Sequence, residues 1–145
     1  MTLALVLRFL HILSAALWMG SSLFWPGALR RALFQEPPQA GPALEQAQAA
    51  LGLDLGAGLA VLVTGLAYAS PLGGVTLRLG ILLGLLFALF RLALLVFLAR
   101  PTLGRVRAAL AAGEYAPARA ASRRLLGYSG SAHLLWLLAL VAMVF

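Results

Sequence analysis

The chain has 145 residues, of which 63% are hydrophobic and only 10% are charged, and its mean hydropathy is +0.98. Soluble domains have ~45–50% apolar and ~25% charged residues, so the composition excludes an ordinary soluble domain and indicates one integral membrane domain in a lipid bilayer. The net charge of +7 does not indicate nucleic acid as a partner, because six of the eleven arginines lie within residues 100–124, as in a cytoplasmic loop. Without cysteine, disulfides, thiolate metal sites and thiol catalysis are excluded.

The first predicted helix, residues 2–25, is an apolar run in which Arg8 and His11 are three residues apart. Residues at this spacing share one face of a helix, and hydrocarbon makes such a face costly unless protein, cofactor or water contacts it. The run is longer than the core of a cleavable signal peptide, and no charge precedes Arg8. We therefore expect the helix to be retained and to leave the membrane at Pro26.

Three further helices are predicted at about residues 43–69, 77–99 and 125–145, and the basic segment 100–124 is predicted to be a cytoplasmic loop, helical in pieces and interrupted at Gly113. Spans of ~20 residues or more cross the ~30 Å of hydrocarbon in a bilayer. Arginines mark both the first and the third connection, so the positive-inside rule predicts both termini outside. The fold class is therefore all-α: a four-helix integral bundle, multi-pass in the cell (inner) membrane.

An ion pair is predicted between a residue of the second helix and a residue of the third. Reflection through the turn between them brings Asp54 within one helical turn of Arg91. Buried charges are usually paired, so the simplest interpretation is a structural ion pair. A proton relay or a substrate role, or a position of Asp54 near the interface, are the alternatives.

Two histidines are predicted at similar depth. At ~1.5 Å per residue, His11 lies ~15 Å and His133 ~18 Å from the outer ends of their helices. Imidazole is a usual haem ligand, and bundle cores hold such cofactors. The hypothesis is a b-type haem between the first and fourth helices, ligated by both histidines or by one. The alternative is that each neutral imidazole only hydrogen-bonds across the bundle.

Three further side chains are candidates for the same site. Arg8, one turn outward of His11, would pair with haem propionates. Trp18 and Trp136 are either walls of a cofactor pocket or ordinary packing residues, and aromatic residues at helical spacing favour packing. No catalytic residue can be named, because phosphate loops, nucleophile and base pairs and zinc signatures are absent from the sequence.

Copper is the competing metal. Met1, Met19 and Met143 add soft ligands to the two histidines. The glycine pairs Gly52 with Gly56 and Gly80 with Gly84 predict close packing of helices within the chain.

The segments Leu7 to Leu13, Trp18 to Gly20 and Trp25 to Arg31 carry a family resemblance, together with residues 100–110 and 118–124. The pattern resembles the small four-helix membrane families around copper-resistance protein D and the HemJ-type protoporphyrinogen oxidases. It consists of a basic residue, a histidine three residues later, a tryptophan about two helical turns further on, and a helix exit rich in proline and arginine. The resemblance to the oxidases implies haem binding with His11 as a ligand. The chain departs from that pattern at Arg8, where a lysine is expected, in the third helix, which has Arg78 and Arg91 in place of a family lysine, and at His133.

The functional prediction is therefore a haem b-binding membrane protein in electron transfer or haem-linked redox chemistry, with HemJ-like protoporphyrinogen oxidation as one form. The alternatives are a copper-handling protein and a non-catalytic subunit of a larger membrane complex. The expected partners are a redox partner and the anionic lipid headgroups that arginines from Arg100 to Arg124 attract.

Overall fold

The computed structural model describes residues 3–35, 37–70 and 78–144 of the chain. Nearly all of them are helical. The elements are α1 (Leu3–Ser21), α2 (Trp25–Gln35), a short 3-10 helix (Pro37–Gln39), α3 (Ala40–Ala69), α4 (Leu79–Leu94), a π-helical turn (Leu95–Ala99), α5 (Arg100–Ala111) and α6 (Tyr115–Val144).

Four stretches are long and apolar enough to cross a membrane: Leu3–Phe34, Ala40–Ala69, Leu79–Ala111 and Tyr115–Val144. Large apolar side chains face outward on them, including Phe9 at 61% and Phe97 at 73% exposure, as lipid-facing side chains do. The predicted all-α bundle with four candidate spans is therefore confirmed.

The helices associate as two pairs. In the described residues, α1 packs mainly on α3, and α4 packs mainly on α6, whereas α3 and α4 touch over a much smaller area. The α2 helix contacts both α3 and α6, and α5 packs on α6. The two pairs are therefore held together chiefly at the end of the bundle that carries α2, α5 and the start of α6, which we call the arginine-rich end.

The apolar core follows the same division. Its larger part lies at the arginine-rich end, around fully buried Leu29, Leu33 and Val106. A smaller cluster of Trp18, Ala57, Val61 and Ala88 fills the middle of the bundle. Helix association is consequently strongest at one end, and polar side chains lie at the boundary between the two clusters.

The first span is broken, whereas the sequence predicted one helix over residues 2–25. The α1 helix ends at Ser21, and α2 begins at Trp25. Pro26 explains the break, because proline has no N–H to donate to the carbonyl of Ser22, four residues earlier, and disfavours helical geometry in the residue before it. Proline is well tolerated in the first turn of a new helix, where N–H groups lack intrahelical partners.

The third span is longer than predicted, because the helix continues past residue 99 to Ala111. Pro101 removes another backbone donor, and the chain absorbs this in the π-helical turn, where the Arg100 N–H donates to the Leu95 carbonyl. Such turns keep a helix continuous across a local irregularity.

Segment 100–124 is helical in pieces, as predicted, but the pieces belong to the neighbouring spans: α5 ends at Ala111, and α6 starts at Tyr115 instead of near residue 125. The predicted interruption at Gly113 is confirmed. Gly113 has a φ of 72°, and the next N–H, of Glu114, donates to the Ala109 carbonyl at 2.8 Å. This is a glycine-terminated helix end, and it turns the chain directly back into α6.

Close packing at glycine is confirmed at Gly84, where an added Cβ would lie 2.6 Å from the Met143 side chain. It is wrong for Gly52 and Gly56, around which no atom lies within 4 Å of an added Cβ. Close approaches on α3 occur instead at Gly58, against Trp18 and Leu92, and at Gly65, against His11. The spacing of glycines alone did not distinguish the face of α3 that packs from the face that does not.

Candidate functional site

The predicted contact between Asp54 and Arg91 is present at the centre of the bundle. The Arg91 Nη2 atom donates to Asp54 Oδ1 at 2.9 Å, and neither side chain is exposed. Asp54 is on α3 and Arg91 on α4, so the ion pair joins the two helix pairs where they otherwise touch little.

Arg91 also binds the end of α1. The same Nη2 atom lies 2.9 Å from the Trp18 carbonyl oxygen and 3.0 Å from Ser22 Oγ, so its two N–H groups are shared among these two acceptors and Asp54 Oδ1. The last turn of a helix carries the negative end of the helix dipole, so a guanidinium there is favourable. Arg91 thus links three spans, and the break after Ser21 places both acceptors within its reach.

The Trp18 side chain lies against the same guanidinium. The Arg91 Cζ atom is 4.3 Å from the centre of a Trp18 ring, which is the geometry of a cation–π contact. Trp18 is 2% exposed, and Trp136 is partly buried against the cluster that contains it. Trp18 therefore packs beside the ion pair, and Trp136 packs on the apolar cluster around Trp18.

His133 belongs to this polar cluster through Ser22. Its Nδ1 lies 2.7 Å from the Ser129 carbonyl oxygen, so Nδ1 carries the proton and donates it there. Its Nε2 then faces Ser22 Oγ at 3.4 Å as an acceptor. The hydrogen bonds form one chain, from Arg91 to Ser22 to His133 and on to the Ser129 carbonyl.

The carbonyl freed by Pro26 is also bonded within the cluster. Ser129 Oγ donates to the Ser22 carbonyl oxygen at 3.3 Å, in place of the backbone N–H that position 26 lacks. The α6 helix therefore caps the broken first span.

Several polar atoms of the cluster have no partner. Within the described residues, Asp54 Oδ2, Arg91 Nε and Nη1, and Trp18 Nε1 are buried and make no hydrogen bond of ordinary geometry, although the side chains of Ser21, Ser22 and Trp18 lie near the Asp54 carboxylate. Buried polar groups are normally satisfied by protein or water. The cluster therefore has donors and an acceptor to offer to water or to a small polar molecule.

His11 lies elsewhere, at the contact of α1 with α3. Its Nδ1 is 3.1 Å from the Val61 carbonyl oxygen and 3.2 Å from Thr64 Oγ1. The Thr64 hydroxyl itself donates to the Ala60 carbonyl at 2.6 Å, so the imidazole proton is on Nδ1 and Nε2 keeps its lone pair. Gly65 leaves room for the ring, because a Cβ there would lie 2.9 Å from His11 Cε1.

The structure does not bring His11 and His133 together. His133 contacts Ser22, eleven residues beyond His11 in the first span, which is ~16 Å along a helix axis. Two ligands of one metal ion must both touch it, so the two-histidine haem site is not formed. The depth count assumed that the first and fourth helices end at the same level, whereas the level of His133 is set by its contacts with Ser22 and Ser129.

The other predicted ligands are dispersed. Arg8 is exposed, and no partner for it is found in the described part of the chain. Met143 packs against Gly84, Met19 is half-buried, and Met1 is outside the described residues. No group of three histidine, cysteine, aspartate or glutamate residues that could hold a metal lies within ranges 3–35, 37–70 and 78–144.

Sequence reasoning missed Ser22, Ser129 and Thr64, which bond the charged and imidazole side chains. One signal was present. Ser22 precedes Pro26 by four residues, and that spacing predicts a carbonyl without an intrahelical donor.

Comparison with protein-family models, curated proteins and solved structures finds no match for this chain. The resemblance to the copper-resistance protein D and HemJ-type families stays a prediction. What the fold and the site define is a class: a four-helix protein with candidate membrane spans and a buried charged cluster.

Proposed function

We propose that this protein binds a b-type haem through His11 and acts in electron transfer or haem-linked redox chemistry in a cell membrane. The observation that carries the proposal is the state of the His11 ring. Its Nδ1–H is held by the Val61 carbonyl, which leaves the Nε2 lone pair for a metal. Histidine ligands usually have their second nitrogen anchored in this way.

The surroundings of His11 support a single-histidine site. The α1 helix has α3 as its main neighbour among the described elements, so the flanks of α1 are open to a flat ring. Arg8, one turn away, is exposed and available to pair with a carboxylate. When bound, the haem would supply one-electron chemistry, and His11 and Arg8 would hold and orient it.

The test is the absorption spectrum of the full-length protein, purified from haem-replete cells. We expect a Soret band that shifts on dithionite reduction, is lost in His11→Ala and survives in His133→Ala. The His133 variant is a matched control, because it removes an equally anchored imidazole from the other site. A colourless wild-type protein, or a band that survives His11→Ala, would contradict the proposal.

We also propose an orientation and a partner. Both arginine-bearing connections lie in the cytoplasm and both termini lie outside, as the positive-inside rule favours. The electron partner would be a second redox protein or a larger membrane complex.

A second function is favoured by the unpartnered atoms around Asp54 and Arg91. Ionisable groups buried in membrane helices often mark paths for protons or polar solutes. In this alternative Asp54 exchanges a proton, with Ser22 and His133 continuing the hydrogen-bonded path.

This alternative is tested in vesicles that hold the full chain and a pH-sensitive dye. Proton flux that falls in Asp54→Asn and in His133→Ala, but not in His11→Ala, would support it. Vesicles with wild-type protein that are no more proton-permeable than empty vesicles would contradict it. Haem binding and proton flux are read separately, so either function can fail alone.

A further inference from the structure

A cleft opens between α3 and α5 at the arginine-rich end. Its volume is about 470 Å³. Each helix contributes one face, with residues spaced by three, four and seven positions, as on one side of a helix. The lining residues are Gln48, Leu51, Gly52 and Leu55 on α3, and Arg100, Leu103, Gly104 and Arg107 on α5.

The floor of the cleft is apolar and its rim is cationic. Leu51 is 4% and Leu103 is 3% exposed, whereas Arg100 and Arg107 are exposed. The two arginines are seven residues apart, so they lie on one face of α5, ~10 Å apart along its axis. Neither has an acidic partner among the described residues.

Two glycines keep the cleft open. Around both Gly52 and Gly104, no atom lies within 4 Å of an added Cβ. The space they leave adjoins the arginines on one side and the buried leucines on the other. A molecule with an anionic group and an apolar chain matches both surfaces.

We infer that this cleft binds one anionic phospholipid, whose headgroup phosphate lies between Arg100 and Arg107 and whose acyl chain lies along Leu51, Leu55 and Leu103. Arginine binds phosphate strongly through paired, charge-assisted hydrogen bonds. The apolar floor distinguishes this ligand from a free phosphate ion, which would gain nothing from the leucines. The inference is independent of haem binding and of proton flux.

The position of the cleft supports a lipid as the occupant. It lies on the third candidate span, Leu79–Ala111, where the apolar segment gives way to arginines. Anionic headgroups occupy that level of a membrane and attract each nearby arginine.

The experiment is native mass spectrometry of the full-length protein in detergent, titrated with phosphatidylglycerol, with phosphatidylcholine or with inorganic phosphate. We expect one phosphatidylglycerol to bind more tightly than phosphatidylcholine. Arg100→Gln and Arg107→Gln should each weaken that binding ~fivefold, and the double variant more.

Arg105→Gln is the matched control, because it removes the same charge from the same helix outside the cleft and should bind as the wild type does. Gly104→Leu adds an apolar side chain to the cleft, at a position where no atom lies within 4 Å of an added Cβ, and should also weaken binding, so the test does not depend on the arginine variants alone. Equal binding of both lipids, or wild-type binding in Arg100→Gln with Arg107→Gln, would overturn the inference. Displacement of the lipid by millimolar phosphate would assign the site to a free anion instead.

Discussion

Arg91, on the third span, bonds residues of both the first and the second span. It pairs with Asp54 on α3, bonds the end of α1 and lies over the Trp18 ring. A buried charge with these partners is tolerated in an apolar bundle, whereas the same charge without them is strongly destabilising. Arg91 therefore has two separable roles, one toward Asp54 and one toward the broken first span.

Substitution of Asp54 tests the first role. Asp54→Leu is expected to lower the free energy of unfolding by about 3–5 kcal/mol, because it leaves Arg91 charged, buried and without its acid. Thermal unfolding in detergent measures the change. Glu45→Leu, which removes an exposed acid from the same helix, should have little effect.

The double variant Asp54→Leu with Arg91→Leu tests the second role. It should recover most but not all of the lost stability. The remaining deficit, about 1–2 kcal/mol, corresponds to the bonds from Arg91 to the Trp18 carbonyl and Ser22. Full recovery would show that these bonds contribute nothing, and no recovery would show that the ion pair is not a structural unit.

Two glycines on α3 give a matched pair of predictions. Gly58→Ala should destabilise the protein by about 1–3 kcal/mol, because its Cβ would lie 2.7 Å from the Trp18 ring and from Leu92. Gly56→Ala, two residues away and open, should stabilise it by about 0.5–1 kcal/mol through helix propensity. Equal melting temperatures for the two variants would contradict the packing at Trp18.

At the scale of the helices, the first span is a broken element whose two parts are both bonded by other spans at their carboxyl ends. Arg91 and Ser129 bond the end of α1 and the carbonyl that follows it. Arg119 Nε donates to the Leu33 carbonyl, in the last turn of α2, at 2.8 Å. Phe34, beside it, lies 5.2–5.7 Å from the guanidinium carbons of three arginines, Arg30, Arg119 and Arg123.

Removal of the Arg119 bond tests the capping of α2. Arg119→Met should lower the free energy of unfolding by about 1 kcal/mol, the net value of the one hydrogen bond that is lost. The effect is no larger because the Arg119 side chain is half-exposed, so solvent screens its charge. Arg124→Met makes the same change at an exposed position and serves as the control. The prediction fails if both variants melt at the same temperature.

At the scale of the whole molecule, the chain is two helix pairs joined by a buried cluster and by a denser apolar core at the arginine-rich end. Substituting the buried charged cluster of Asp54 and Arg91 should therefore separate the helix pairs first at the end of the bundle opposite the arginine-rich end, because fewer contacts hold the pairs together there. This arrangement also gives the bundle two chemically different ends.

The proposed orientation can be measured because the sequence has no cysteine and thus no labelling background. Single cysteines that replace Gln39 or Glu114, which are exposed at the arginine-rich end, should react with a membrane-impermeant maleimide only after the cells are permeabilised. A cysteine at position 74, between α3 and α4, should react in intact cells. Labelling of all three from the same side would contradict four spans.

The sequence by itself determined the number of candidate spans and the ion pair. Apolar length sets whether a helix can cross a membrane, and in a simple hairpin the position along the chain sets which residues lie opposite each other, as for Asp54 and Arg91. The first property depends on local helix geometry, and the second also requires that the chain turn directly back from α3 into α4.

Only the tertiary structure decided how the spans meet. Counting residues from the outer ends of two helices placed His11 and His133 at the same depth. In the structure, His133 contacts Ser22, which lies ~16 Å beyond His11 along the first span. The Pro26 break, the Ser129 bond to the Ser22 carbonyl and the α3–α5 cleft depend on which helix faces which. That choice comes from packing between residues far apart in sequence, and a helical repeat contains no information about it.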